Sequence, residues 1–177
     1  MHFMNHELHQ HIGQEIKKIK KKNLEYRLDK ACGGQQYVSL FLDSKDRKNA
    51  MCKVDAMLIY NNQIQVIIEI EESGLNPTKI CGKYLASELS GFYERGDEKK
   101  IPFCDNPSFI QIIDITGRIG ERYSKKDQAK KIEKKIQEKC KTGKIKQYYI
   151  FCIDGKDDKQ GTKDFIKCLK NIIVNLA

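Results

Sequence analysis

The sequence has no C-x-x-C pair, no internal repeat, no glycine-rich phosphate loop, no Ser-His-Asp order and no apolar run long enough to span a membrane. Each absence removes a class of protein. A membrane-spanning helix needs about 20 consecutive apolar residues. The first residues also show no secretory signal pattern. The expected setting is therefore soluble and cytoplasmic. Seven cysteines are scattered, and their number is odd. That argues against both a zinc site and a disulfide framework. Cysteines such as Cys152, in YYIFCID, read as small core hydrophobes in a reducing compartment. "HELH", His6 to His9, is one residue short of the H-E-x-x-H zinc motif. His2 and His6 stand at ligand spacing, i and i+4, but with His9 and His11 they read as an exposed, frayed helix end.

The 177 residues suffice for one domain, residues 1–177, with a full core. Thirty-three basic residues against 24 acidic ones give a net charge of +9. Such an excess attracts polyanions, nucleic acid or an anionic membrane. It is also what a lysine-rich solvated surface produces without any partner.

From His6 to Lys30 the chain reads as one helix, with Leu8, Ile12, Glu15, Ile16 and Ile19 on one side and the lysines toward solvent. Gly33 and Gly34 would close it. QQYVSLFLD reads as a strand. KVDAMLIY and IQVIIEIEE read as a hairpin around Asn61, Asn62 and Gln63. Pro77 fits the first turn of a helix over TKICGKYLASELSGFY. SFIQIIDIT and KQYYIFCID read as strands, and SKKDQAKKIEKKIQEKC and TKDFIKCLKNIIVNL as helices. The expected order is helix, three strands, helix, strand, helix, strand, helix. An antiparallel meander followed by crossover-connected strands gives an α/β fold, a mixed central sheet flanked by helices.

The hairpin carries Asp55 near the start of one strand and Glu69 and Glu71 near the end of the other. Side chains alternate along a strand. A two-residue turn would pair Asp55 with Ile68 and put Asp55 and Glu69 on opposite faces. A three-residue turn, Asn61 to Gln63, pairs Asp55 with Glu69 and Lys53 with Glu71. One residue of slip flips every side chain, and only the odd register gathers the acids, so that register is expected. Like charges placed opposite each other destabilise a sheet, and desolvation adds to the cost. A divalent cation gives a reason for them. Mg²⁺ takes oxygen ligands, so Asp55, Glu69 and the backbone carbonyl of Ile70 are the candidate metal ligands.

With Asp55 in KVDAM and Glu69 and Glu71 in IEIEES, the chain resembles the PD-(D/E)XK nuclease superfamily in its E-x-E variant. The resemblance covers most of the chain in element order. It implies a restriction-endonuclease-like core in the order αβββαβ followed by αβα. Val54 stands where the family often has proline, and Glu71 where it usually has lysine. The family usually adds an acid from the first helix, which points to Glu15, with Glu25 as the alternative. The missing ammonium has three candidates, Lys53, Lys79 and Lys83. The resemblance implies Mg²⁺-dependent hydrolysis of DNA phosphodiesters, with Mn²⁺ able to substitute. Asp55 and Glu69 would hold the metal, and Glu71 would act as a further ligand or as the base that orients water.

The reading that follows is a small type II restriction enzyme, acting on double-stranded DNA as a homodimer because each chain carries one site. Two alternatives are a non-catalytic nucleic-acid-binding or scaffold protein that keeps the fold, and a repair or defence nuclease. Arg118, Arg122 and Tyr123 read as a strand-end loop suited to phosphates or base edges. Lys83 belongs with them as a nucleic-acid contact. GFYERGDEKKIPFCDNP reads as a long loop for DNA or a dimer interface.

Overall fold

The computed structural model describes residues 6–96, 99–117 and 119–176; the side chain of residue 119 is excluded. The order is α1 (Glu7–Lys17), β1 (Leu24–Leu28), β2 (Val38–Phe41), β3 (Ala50–Val54), β4 (Ala56–Tyr60), β5 (Gln63–Glu71), α2 (Pro77–Leu89), β6 (Phe92–Tyr93), β7 (Ile101–Asp114), α3 (Ile119–Cys140), β8 (Gln147–Ile153) and α4 (Lys159–Val174). Eight strands make one mixed sheet in the order β1-β4-β5-β7-β6-β2-β3, with β8 pairing to β7. The β5–β7 and β7–β8 pairs are parallel and the others antiparallel. Among the described residues no helix is long and apolar enough to cross a membrane.

Two helices cover each face of the sheet. α1 and α4 bury Leu8, Ile12, Ile16, Phe165, Leu169 and Ile173 against Leu58, Val66, Ile68, Ile110 and Ile112. α2 and α3 bury Tyr84, Ile136 and Cys140 against Met57, Ile59, Ile67, Phe109 and Tyr148. Pro77 opens α2 as expected, and the Asn76 side chain caps it by accepting from Lys79 N.

The first helix is shorter than its sequence suggests. It stops at Lys17, and residues 24–28 form β1 instead. Asn23 adopts a left-handed φ of 62°, which no α-helix continues through. Beyond it, Leu24, Tyr26 and Leu28 alternate onto the α1 face, the period of a strand. GFYERGDEKKIPFCDNP is likewise not one loop. Phe92–Tyr93 pair with β2, and residues from Ile101 onward already belong to β7.

The hairpin register is reached by a route the sequence reading did not foresee. The turn has two residues. Tyr60 pairs with Gln63, and Asn61 and Asn62 take φ of 50° and 60°, the geometry of a type I′ turn. Alone, that turn would separate the acids. The ladder then shifts by one between Leu58 and Ile59, so that Ala56 faces Ile68. Continuing that pairing brings Asp55 across from Glu69. The extra residue, Gln65, is a β-bulge. Its effect shows in the packing: Ile64 and Ile67 lie on one face while Val66 and Ile68 lie on the other.

Candidate functional site

Asp55 sits at a bend between β3 and β4, where the chain leaves β2 and begins to pair with β1 and β5. Its carbonyl accepts from Asp29 N at 2.9 Å, and its Oδ2 accepts from Ile70 N at 2.7 Å. In an extended strand the N–H and C=O of a residue face the same edge. The Ile70 carbonyl is therefore turned toward the Asp55 side of β5, as a backbone ligand there requires.

Glu69 is 4 % exposed. Lys83 of α2 donates from Nζ to Glu69 Oε2 at 2.8 Å. Glu69 Oε1 is buried with no hydrogen-bond partner among the described residues. The Asp55 carboxyl is near enough to act on Glu69 through its charge, and two acids share a hydrogen bond only if one carries a proton. Burial, and then the charge of Asp55, push the Glu69 carboxyl well above the usual range despite Lys83. Burial also works against the Asp55 carboxylate, but His9 and the Ile70 N–H outweigh it and hold Asp55 below its ordinary value. Burial lowers Lys83, and Glu69 more than restores it, so the ammonium is held charged. The pair thus contains one firmly ionised acid and one acid that burial and its neighbour disfavour as an anion.

Two further acids end β5. Glu71 Oε1 accepts from Ser73 N at 3.0 Å and from Ser73 Oγ, and lies 3.6 Å from Lys79 Nζ. Glu72 turns to the other face. Its Oε1 accepts from Leu8 N at 2.7 Å and His9 N at 3.2 Å, which caps the start of α1 from a distant strand. His9 is 7 % exposed and stands between the two groups. Its Nε2 lies 3.6 Å from Asp55 Oδ2 and its Nδ1 3.2 Å from Glu72 Oε2. Burial pulls the imidazole down, but Asp55 and then Glu72 raise it above its ordinary value.

The other expected site residues fall outside this cluster. Lys53 does not oppose Glu71. The bend at Asp55 places Lys53 in β3 across from Ser39, with its Nζ 3.8 Å from the Tyr37 ring centre. Glu15 pairs with Lys18 and lines a groove against α4. Glu25 lies on β1 and pairs with Arg27 at 2.8 Å. Neither acid contacts Asp55 or Glu69 among the described residues. Arg122 and Tyr123 belong to α3 rather than a loop. Arg122 Nη1 lies 2.6 Å from Asp154 Oδ2, while Tyr123 is exposed. Arg118 and His2 lie outside the described residues.

Sequence reasoning missed His9 and Glu72. Helical spacing of His9 with Ile12 and Ile16 was the available signal for a buried position. Beside the acids, a cleft of about 620 Å³ opens between the start of α1 and the ends of β5, β7 and β8, reaching Glu71, Glu72, Lys79 and Asp114. Ends of this kind are where open α/β sheets place ligands. No family model matches the chain, and no curated protein or solved structure matches it.

Proposed function

We propose that this chain is a Mg²⁺-dependent endonuclease that hydrolyses DNA phosphodiester bonds, with the carboxylates of Asp55 and Glu69 as its centre. The observation that carries the reading is the buried, unpartnered Glu69 Oε1 set beside Asp55. Leaving a buried acceptor unsatisfied costs about 1–3 kcal/mol, and a like charge adjacent to it adds to that. An all-oxygen set of two carboxylates and the Ile70 carbonyl fits Mg²⁺ or Mn²⁺. Order lends support: α1, β1, β4, β5, α2 and β7 run as helix, three-stranded antiparallel meander, helix and parallel strand. QQYVSLFLD, expected to open the meander, instead forms β2 at the other end of the sheet, so β1 takes its place, the β2–β3 hairpin is an insertion between the first two meander strands, and β6 is another between α2 and β7.

A bound Mg²⁺ lowers the pKa of a coordinated water and stabilises charge on the reacting phosphate. The chain's own groups divide the remaining work. Asp55, kept ionised by His9 and the Ile70 N–H, supplies a fixed anion. Lys83, on the following helix and 2.8 Å from Glu69 Oε2, would stand in for the family's motif lysine. Its side chain is 42 % exposed, which would let the ammonium reach a phosphate as well as Glu69 and offset negative charge that grows in the transition state. Glu71, steadied by Ser73 and Lys79, holds an acceptor at the cleft edge that can orient the attacking water.

The test is cleavage of supercoiled plasmid with Mg²⁺ by the wild-type chain and by Asp55→Asn. Discrete fragments support a site-specific enzyme, and a smear supports a general nuclease. Asp55→Asn is expected to abolish cleavage and to leave binding to duplex DNA in Ca²⁺ within a few-fold. Undiminished cleavage by Asp55→Asn refutes the assignment. The Lys83–Glu69 contact also favours a second reading, since an ammonium there partly offsets the acids without a metal. A chain that binds duplex DNA but never cuts it would be the scaffold form of this fold.

A further inference from the structure

A second constellation lies on the opposite side of β5 from Glu69. His6 Nδ1 lies 3.1 Å from Glu72 Oε2, and His9 Nδ1 lies 3.2 Å from the same oxygen. One potential ligand atom from each residue lies within 4.8 Å of the others. Zinc binds imidazole nitrogen and carboxylate oxygen at about 2.0–2.1 Å, so neighbouring ligands on a tetrahedron stand about 3.3 Å apart. The separations of His6 Nδ1 and His9 Nδ1 from Glu72 Oε2 are close to that edge.

The geometry at His9 adds an independent observation. Its ring is more than nine-tenths buried, and among the described residues Nδ1 has no hydrogen-bond partner, although Glu72 Oε2 is only 3.2 Å away. Distance alone would permit a hydrogen bond, so the direction is what fails. A nitrogen and an oxygen that approach closely off-axis are arranged as two ligands of a common third atom are. Glu72 is free to serve, because the α1 N–H groups occupy Oε1 and leave Oε2 on the histidine side.

We propose that His6, His9 and Glu72 form a binding site for a late first-row divalent cation of the zinc class. Two imidazoles with one carboxylate select Zn²⁺ or Co²⁺ over Mg²⁺ and Ca²⁺, which prefer all-oxygen shells. Three protein ligands leave a fourth position, and all three residues line the cleft at the ends of β5, β7 and β8. The far nitrogen, His9 Nε2, lies 3.6 Å from Asp55 Oδ2. That is the carboxylate–histidine–metal arrangement in which an outer carboxylate fixes the ring. Loading the site would thus hold His9 with Nδ1 on the metal and Nε2–H directed at Asp55. The inference stands apart from the nuclease reading and needs no cleavage for its test.

The experiment uses the full chain without a polyhistidine tag, stripped of metal, titrated with Co²⁺ and followed by visible absorption. The expected result is one Co²⁺ per chain with the intense bands of a four- or five-coordinate site, displaced by Zn²⁺ but not by Mg²⁺ in large excess. His6 is 40 % exposed, so His6→Ala should keep its fold by circular dichroism. It should weaken Co²⁺ at least as much as loss of an outer-shell partner does, about 10- to 100-fold. Glu72→Gln retains an oxygen for the α1 cap and should weaken Co²⁺ similarly. Glu69→Gln should leave the bands in place. Bands lost in Glu69→Gln would put the ion on the other carboxylates and overturn the proposal. So would the absence of bands in the wild type, or bands that survive both His6→Ala and Glu72→Gln, since the cluster is then an ion-paired clasp only.

Discussion

Glu69→Gln should stabilise the metal-free protein and abolish the proposed Mg²⁺-dependent cleavage. The amide keeps an oxygen for the Lys83 ammonium, now 2.8 Å from Oε2. Its NH₂ replaces an acceptor that has no partner with a donor facing Asp55. Removing one unsatisfied buried acceptor is worth about 1–3 kcal/mol. Loss of the charge on Glu69 weakens the Lys83 contact, so the expected net gain is about 1–2 kcal/mol. For a chain of this size that corresponds to a rise in Tm of about 2–8 °C. The gain depends on pH. Glu69 has a folded-state pKa raised above its unfolded value. Its contribution is fully present below the ordinary carboxylate range and is lost as pH rises through the raised value. The wild type therefore weakens with rising pH across that window, Glu69→Gln does not, and the gap between them widens. Saturating Mg²⁺ should reverse the order, because a ligand at 100 times its Kd stabilises the native state by about 2.7 kcal/mol and the variant forgoes it. Thermal melts of both proteins between pH 5 and 8.5, in EDTA and in Mg²⁺, check this. A variant less stable than wild type by more than about 1 kcal/mol in EDTA refutes the reasoning. Glu69 would then be a structural partner of Lys83 and not an acid awaiting a cation.

Lys83→Met should lower cleavage by about 10²–10³, the usual cost of removing one charge-stabilising donor, and leave Mg²⁺ uptake measurable by calorimetry; unchanged cleavage excludes this ammonium. Gly13→Ala should destabilise the protein by about 1–3 kcal/mol in urea titrations, because a Cβ there would lie 2.1 Å from the Cys32 carbonyl oxygen, and a neutral result would show that α1 can lift from that turn. Asn62→Val forces a β-branched residue to φ 60° and should cost about 1–2 kcal/mol, whereas Asn62→Gly should be neutral or better; equal melts for the two would contradict the type I′ turn.

The acids were legible because their residue type conflicts with their surroundings. Carboxylates in runs such as VIIEIEE stand out against any packing explanation. The register that joins Asp55 to Glu69 was legible in outcome and not in mechanism. Only an odd register gathers the acids, but that argument does not distinguish a longer turn from a bulge, and Gln65 looks like any other polar strand residue. β1 was hidden because lysines and isoleucines at helical spacing run nearly to it, and Asn23 carries little signal on its own. Lys53 lost its expected place because a bend at a single aspartate leaves no mark in composition. Lys83 and Lys79 stood on the right helix, but choosing between them depends on which face of α2 meets β5. His9 reads in the sequence with its exposed neighbours, although the fold buries it beside Glu72 and Asp55. A contact between residues 63 positions apart has no local signature.

β7 belongs to two ladders at once. Its later residues lie between β5 and β8, and its first residues pair with β6. Between Phe103 and Ser108 the register with β5 is broken, and Pro107 offers no amide there. The strand is therefore a seam as well as a bridge. Native-state hydrogen exchange should divide the protein at this point. Amides of the β2, β3 and β6 ladder would open together at low free energy, while those of β4, β5 and late β7 would exchange only on global unfolding.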